Sequence, residues 1–160
     1  MPASDYAAVL PAPFGALGVR LAGEALAGLD FLPPDSALRP CGAAAVHRVA
    51  HELEAYYANP RHVWRLTLAP AGTLFRQRVW QTLLAIPSGQ TRTYGEIAHD
   101  LASSPRAVGQ AVGDNPIPII IPCHRVLAAH GLGGFMHHAD GFPLVVKAWL
   151  LQHEGIGSRS

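Results

Sequence analysis

A cysteine followed at once by a histidine and an arginine, Cys123-His124-Arg125, is where this sequence concentrates reactive side chains. A free thiol titrates near pH 8.5, so at neutral pH only a small fraction is thiolate, and attack on carbon needs a base at hand. His124 is placed to take that proton, directly or through water. A carboxylate on the far ring nitrogen would fix the tautomer and stabilise the imidazolium, a relay of nucleophile, base and orienter. Glu154 is the carboxylate assigned to that role. It falls where the last helix should end, which is unfavourable against the helix dipole and points to a purpose other than helix stability. The pair alone leaves two other readings open. One is an inert buried thiol beside a satisfied core histidine. The other is a hydrolase turning over acyl or peptide substrates.

The elements around the pair must hold it rigidly. Residues 115–126 read Asn-Pro-Ile-Pro-Ile-Ile-Ile-Pro-Cys-His-Arg-Val, with three prolines and four isoleucines. Proline fixes φ and biases its predecessor toward extended backbone, so this stretch should be non-helical, stiff and buried. Upstream, Thr73 is a good N-cap for a helix through Phe75, Val79, Leu83 and Ile86 that Pro87-Ser88-Gly89 stops. Thr93-Tyr94-Gly95-Glu96 fits a capping box opening a helix to about Ala102. Ser103-Ser104 then gives a turn and a cap, with Pro105 opening a second helix through Val112. Two helices across so short a polar turn form a helix-turn-helix pattern, whose second member would face DNA. Plain helix packing gives the same pattern. Ala107, Gly109 and Ala111 keep that helix thin, and Arg106 is its one long cation, either a solvated cap or a wedge for a base stack. Downstream, Gly131, Gly133 and Gly134 predict a loop that lets backbone approach a ligand, and residues 144–153 predict a last helix with Pro143 before it and Gly155 after it. Residues 156–160 should fray.

The first half carries no chemical signature. Apolar pieces at 17–22, 26–31 and 64–68 predict short strands, and Val46, Val49, Leu53 and Tyr57 predict a helix from about Ala43 that Asn59-Pro60 ends. Pro70-Ala71-Gly72 is a joint, giving a strand-rich scaffold domain over 1–70 and a catalytic, DNA-binding domain over 71–160.

Composition excludes little else. In 160 residues, 49% are hydrophobic and 14% charged, with a net charge of +1, so the chain is globular, and near-neutrality neither supports nor opposes a nucleic-acid partner. Cys41 and Cys123 cannot build a secreted disulfide framework. The opening residues lack a leader's basic flank and apolar core, and no apolar run reaches membrane-spanning length. A cytoplasmic protein with free thiols is expected. The nine histidines follow no zinc spacing, so neither metal nor cofactor is expected.

Taken together, Pro122-Cys123-His124-Arg125-Val126, the preceding Asn115-Pro116 and the closing Leu150-Leu151-Gln152-His153-Glu154-Gly155 resemble the O6-alkylguanine-DNA alkyltransferases, also called methylated-DNA–protein-cysteine methyltransferases. Phe75-Arg76-Gln77-Arg78-Val79-Trp80, Ile86-Pro87-Ser88-Gly89, Thr93-Tyr94-Gly95-Glu96-Ile97-Ala98 and Arg106-Ala107-Val108-Gly109 extend the likeness, in order, over about residues 73–155.

The resemblance implies an α+β fold, with a small N-terminal sheet and helix in a ribonuclease H-like layout and a mostly helical, winged helix-turn-helix C-terminal domain. It implies a monomeric repair protein that binds duplex DNA through the minor groove, flips out O6-alkylguanine and takes the alkyl group irreversibly onto Cys123. His124 would deprotonate the thiol through a water, with Glu154 behind it, and Asn115 would brace the site. Tyr94 would donate toward guanine N3, and the carbonyls of Cys123 and Val126 would read the guanine amino group. Arg106 would fill the gap in the stack, with Ala107, Gly109, Tyr94 and Arg125 also at the DNA; Val126, Phe135, Met136 and Tyr94 would line the pocket.

Where the family usually reads Gly-Gly-Tyr-Ser-Gly-Gly and soon a lysine, this chain reads Gly133-Gly134-Phe135-Met136-His137-His138, with extra residues before Lys147. Phe135 loses a hydroxyl, Met136 replaces a small residue whose amide helps hold O6, and two histidines replace flexible glycines. The altered segment leaves room for a pocket rebuilt for another lesion size, or for a non-catalytic lesion-binding protein.

Overall fold

The computed structural model describes residues 5–156 and divides between Ala71 and Gly72 into two compact units. The expectations for the opening residues 1–4 and for the tail 157–160 fall outside the described residues. The chain is α+β, with a small antiparallel sheet and five α-helices.

In the first unit, β1 (Ala8–Ala12), β2 (Gly15–Ala22) and β3 (Ala25–Leu32) form an antiparallel meander. Gly23, at φ 61°, makes the tight turn between β2 and β3. Leu17, Val19, Leu26 and Leu29 are buried, and α1 (Ala44–Ala58) packs against β3 with Val46, Val49, Leu53 and Tyr56 inward. Two expected strands lie within β2 and β3. The third does not form: residues 64–68 keep an alternating exposure, yet meet the sheet only through the isolated bridge of Leu68 to Leu26. Their apolar side chains are held by packing, with Trp64 stacked on Tyr56 at 5.2 Å, so the period-two pattern persists without a ladder. In its place β1 completes the sheet.

The second unit holds α2 (Leu74–Leu84), α3 (Tyr94–Asp100), α4 (Pro105–Gly113) and α5 (Phe142–His153). Each expected cap is in place. The Thr73 hydroxyl accepts from the Arg76 amide at 3.2 Å, Thr93 and Glu96 complete a reciprocal box, and Ser104 accepts from the Ala107 amide at 3.1 Å. Expected ends shift by two residues. The α2 helix stops before Ile86, which is buried beyond it, and α3 stops before Ala102, whose φ of 52° breaks the helix. Conversely, α5 starts at Phe142, because Pro143 occupies its first turn, where a missing amide costs nothing. The indole of Trp80 donates to the Ala111 carbonyl at 2.9 Å and fixes α2 to α4. Two short strands, β4 (Arg92–Thr93) and β5 (Val126–Leu127), pair in parallel and place the start of α3 beside the segment leaving the cysteine.

Candidate active site

Cys123, His124 and Arg125 form one turn of 3-10 helix, fed by the proline-isoleucine segment. That segment is buried, as its composition demands, but it is folded rather than extended: Ile119 sits at φ 75°, a strained conformation for a β-branched residue. Asn115 staples the fold. Its amide nitrogen donates to the Ile121 carbonyl at 2.8 Å, and its carbonyl oxygen accepts from the Ile117 amide at 3.0 Å.

Behind the turn, Glu154 is wholly enclosed at its side chain. His124 Nε2 lies 2.8 Å from Glu154 Oε2, and Arg125 grips the same carboxylate through Nε to Oε1 at 2.8 Å and Nη2 to Oε2 at 2.9 Å. Burial would raise the Glu154 carboxyl, but the hydrogen bonds and charges of His124 and Arg125 outweigh it and hold the group well below the carboxylate range. The carboxylate therefore stays ionised and accepts a hydrogen bond from Nε2–H, which leaves Nδ1 of His124 with a lone pair. Nδ1 is buried and has no hydrogen-bond partner among the described residues. Burial also lowers the pKa of His124, with Glu154 opposing, so the resting imidazole is neutral and can accept a proton.

Arg125 corrects an expectation. Assigned to DNA, it is buried instead, with its remaining donor, Nη1, on the Ile86 carbonyl at 2.6 Å. A buried carboxylate requires a paired cation, and Arg125 is that cation. It also answers the dipole argument: Glu154 ends α5 because two side chains of the cysteine turn hold it there.

Cys123 is 1% exposed, and burial pushes its thiol up to about 11, against smaller downward pulls from a hydrogen bond with Asn115 and the charge of Lys147. At rest it is a thiol. Lys147, which the sequence reading left without a role, is the main residue missed. It is fully buried, and its ammonium donates to the carbonyls of Val126, Leu132 and Gly134 at 2.9, 2.6 and 2.8 Å, all three of its donors in use. Burial brings it down to about 8. The available signal was a lone lysine in the apolar run Leu144-Val145-Val146-Lys147-Ala148-Trp149-Leu150.

A small cavity of about 80 Å³ is lined by Tyr94, Gly109, Val112, Gly134, Phe135 and Met136, among others. The Tyr94 hydroxyl points to the Gly134 carbonyl at 3.4 Å, and burial, with a smaller contribution from Cys123, pushes it up to about 12. It is a proton donor. Met136 joins this cavity to the acceptor residue, lining the one and holding its sulfur 3.9 Å from that of Cys123. Arg106 is exposed at the start of α4, with Ala107 beside it. Among the described residues, no group of three or more histidine, cysteine or carboxylate side chains could hold a metal, and no helix is long and apolar enough to cross a membrane.

Residues 74–156 match the family described as 6-O-methylguanine DNA methyltransferase, DNA binding domain. A methylated-DNA–protein-cysteine methyltransferase of Methanosarcina acetivorans is 38% identical over 160 residues, 94% of this chain and 98% of the relative. The chain belongs to the methylated-DNA–protein-cysteine methyltransferase family. A methyltransferase of that name from Mycobacterium tuberculosis is 51% identical over 82 residues, half of each chain. Among solved structures, the O6-methylguanine methyltransferase of M. tuberculosis superposes with a TM-score of 0.77 at 37% identity, over 91% of this chain and 90% of that one. The OGT protein of the same organism in complex with DNA gives 0.74 at 37% identity, with the same coverage.

Proposed function

We propose that this protein repairs DNA by moving the alkyl group from O6 of a guanine in a duplex to Sγ of its own Cys123, once and irreversibly. Alkyl transfer is the activity of the family, and one observation carries the assignment of its parts here. The His124 ring is bound on one side by an ionised, enclosed Glu154 and keeps a buried lone pair on the other. As the S–C bond forms and the C–O6 bond breaks, the thiol proton passes to Nδ1 through a water, and the imidazolium is stabilised by Glu154. The guanine leaves with its electron pair and gains a proton at N3 from Tyr94, whose high pKa keeps it protonated at neutral pH. The resting thiol needs no standing charge. A thiol at about 11 resists stray electrophiles and becomes nucleophilic only as its proton leaves.

The α3 and α4 pair is read as a helix-turn-helix entering the minor groove, in a winged C-terminal domain that follows a scaffold of ribonuclease H-like layout in the chain. The lesion is flipped out of the stack and Arg106, exposed at the start of α4, fills the gap; flipping costs a few kcal/mol, which a cation in the stack offsets in part. Ala107 and Gly109 let the α4 backbone approach the DNA. The Val126 carbonyl already accepts from Lys147 and that of Cys123 from the Val126 amide, and each oxygen keeps a second lone pair for the guanine amino group. The protein works as a monomer in the reducing cytoplasm, where Cys41 and Cys123 stay free.

Incubation with a duplex containing O6-methylguanine, followed by peptide mass analysis, should add about 14 Da to the Cys123 peptide, the mass of CH3 replacing H on sulfur. A folded sample that binds the duplex without that gain would instead be a lesion binder.

A further inference from the structure

We propose that Met136 is a size filter over the acceptor cysteine, held in place by a latch of His137, Asp114 and Arg76, so that the site favours small alkyl lesions over bulky ones. The inference rests on the reading of Cys123 as acceptor, and part of its test does not.

Residues 135–138 form a closed turn. The Phe135 amide donates to the His138 carbonyl at 2.8 Å and the His138 amide returns to the Phe135 carbonyl at 2.9 Å. Its central residues, Met136 and His137, have φ of 53° and 66°, the signs that a type I′ turn requires and that glycine or asparagine usually supplies. Two consecutive larger residues in the left-handed region are strained, so neighbouring contacts must hold them there. His137 Nε2 lies 2.7 Å from Asp114 Oδ1, and Asp114 Oδ2 is 2.8 Å from Arg76 Nη2 in α2. The His137 ring also rests on Gly113, where an added Cβ would overlap it. The turn is thus pinned to the C-terminal end of α4.

What the latch holds is the Met136 side chain, its sulfur 3.9 Å from the acceptor sulfur. The cavity beside it, about 80 Å³, takes a few waters and is well below the several hundred Å³ of an ordinary ligand pocket. Any flipped base must displace this side chain. Methionine has three rotatable bonds, so a rotamer change makes room for a methyl group. A benzyl group needs the turn itself to move, which breaks the His137–Asp114 contact. Met136 thereby determines specificity, and His137 and Asp114 act through it as positioning residues.

Thiol-reactive probes of two sizes test this on the full chain without DNA. Cys123 is alkylated with iodoacetamide and with N-benzylmaleimide, and peptide masses are followed with Cys41 as internal reference. In Met136→Ala the ratio of bulky to small modification at Cys123 should rise roughly tenfold. In His137→Ala and Asp114→Asn the rise should be about two- to fivefold, the scale of a half-exposed polar contact. The ratio of transfer from O6-benzylguanine to transfer from O6-methylguanine in a duplex should move in the same order. An unchanged probe ratio in Asp114→Asn together with either other variant, all with wild-type melting, overturns the filter. A probe ratio that moves, in a protein that takes no alkyl group from DNA, upholds the filter and overturns the repair reading.

Discussion

At the scale of single residues, the site is a contest between burial and pairing. Cys123, His124, Lys147 and Glu154 are all enclosed, and burial favours the neutral form of each. Only Glu154 ends well inside its charged range, because Arg125 and His124 both bond it. Glu154→Gln should therefore act twice. It leaves Arg125 buried without a counter-charge, costing roughly 3 kcal/mol of stability by urea titration. It also removes the charge that stabilises the imidazolium, so single-turnover transfer should fall by about 100-fold even at temperatures where the variant is folded. Arg125→Lys should share the first effect, since an ammonium cannot grip both carboxylate oxygens in the same fork.

Between residues and the whole lie the elements, where sequence and structure compare most directly. The caps of α2, α3 and α4 were legible because capping is local: a hydroxyl or carboxylate three residues from the amide it satisfies needs no tertiary information. The cysteine turn and Glu154 were legible through residue order, which a known family shares. Arg125 was misplaced because an arginine beside a reactive cysteine reads equally as a phosphate contact or a buried counter-ion, and only the approach of α5, 29 residues away, decides. Lys147 was missed for the same reason, and Met136, read as pocket lining, could not be set against the Cys123 sulfur: both depend on which carbonyls or sulfur a folded loop brings near. The loss of the expected strand at 64–68 shows that alternation reports burial and not pairing. The segment 115–121 invites a test at this scale. Asn115 makes two side-chain hydrogen bonds that fold it, under a strained Ile119, so Asn115→Ala should cost about 1–3 kcal/mol by thermal or urea unfolding. Thr93→Ala, which opens the α3 capping box, should cost about 1 kcal/mol and change benzyl transfer from free O6-benzylguanine to Cys123 far less than Asn115→Ala does.

For the whole molecule, the buried carboxylate makes stability depend on pH in a definite direction. The Glu154 carboxyl of the folded chain titrates well below the ordinary 4.5, so between those values the unfolded chain binds the extra proton. Its stabilising contribution is complete above about pH 4.5 and is lost as pH falls toward the folded value. The urea midpoint of the wild type should drop more steeply below pH 4.5 than that of Glu154→Gln, and the two curves should converge in acid. Parallel curves would mean that Glu154 does not dominate acid sensitivity. The Arg125–Glu154 clasp has a further consequence, for biosynthesis. It joins two segments of which the later is the last helix described, so a nascent chain whose α5 has not yet docked carries a sulfur with no working base beside it. Under the proposed roles, the self-consuming reaction stays switched off until translation has passed residue 154, and no polypeptide is spent on a lesion before this clasp has closed.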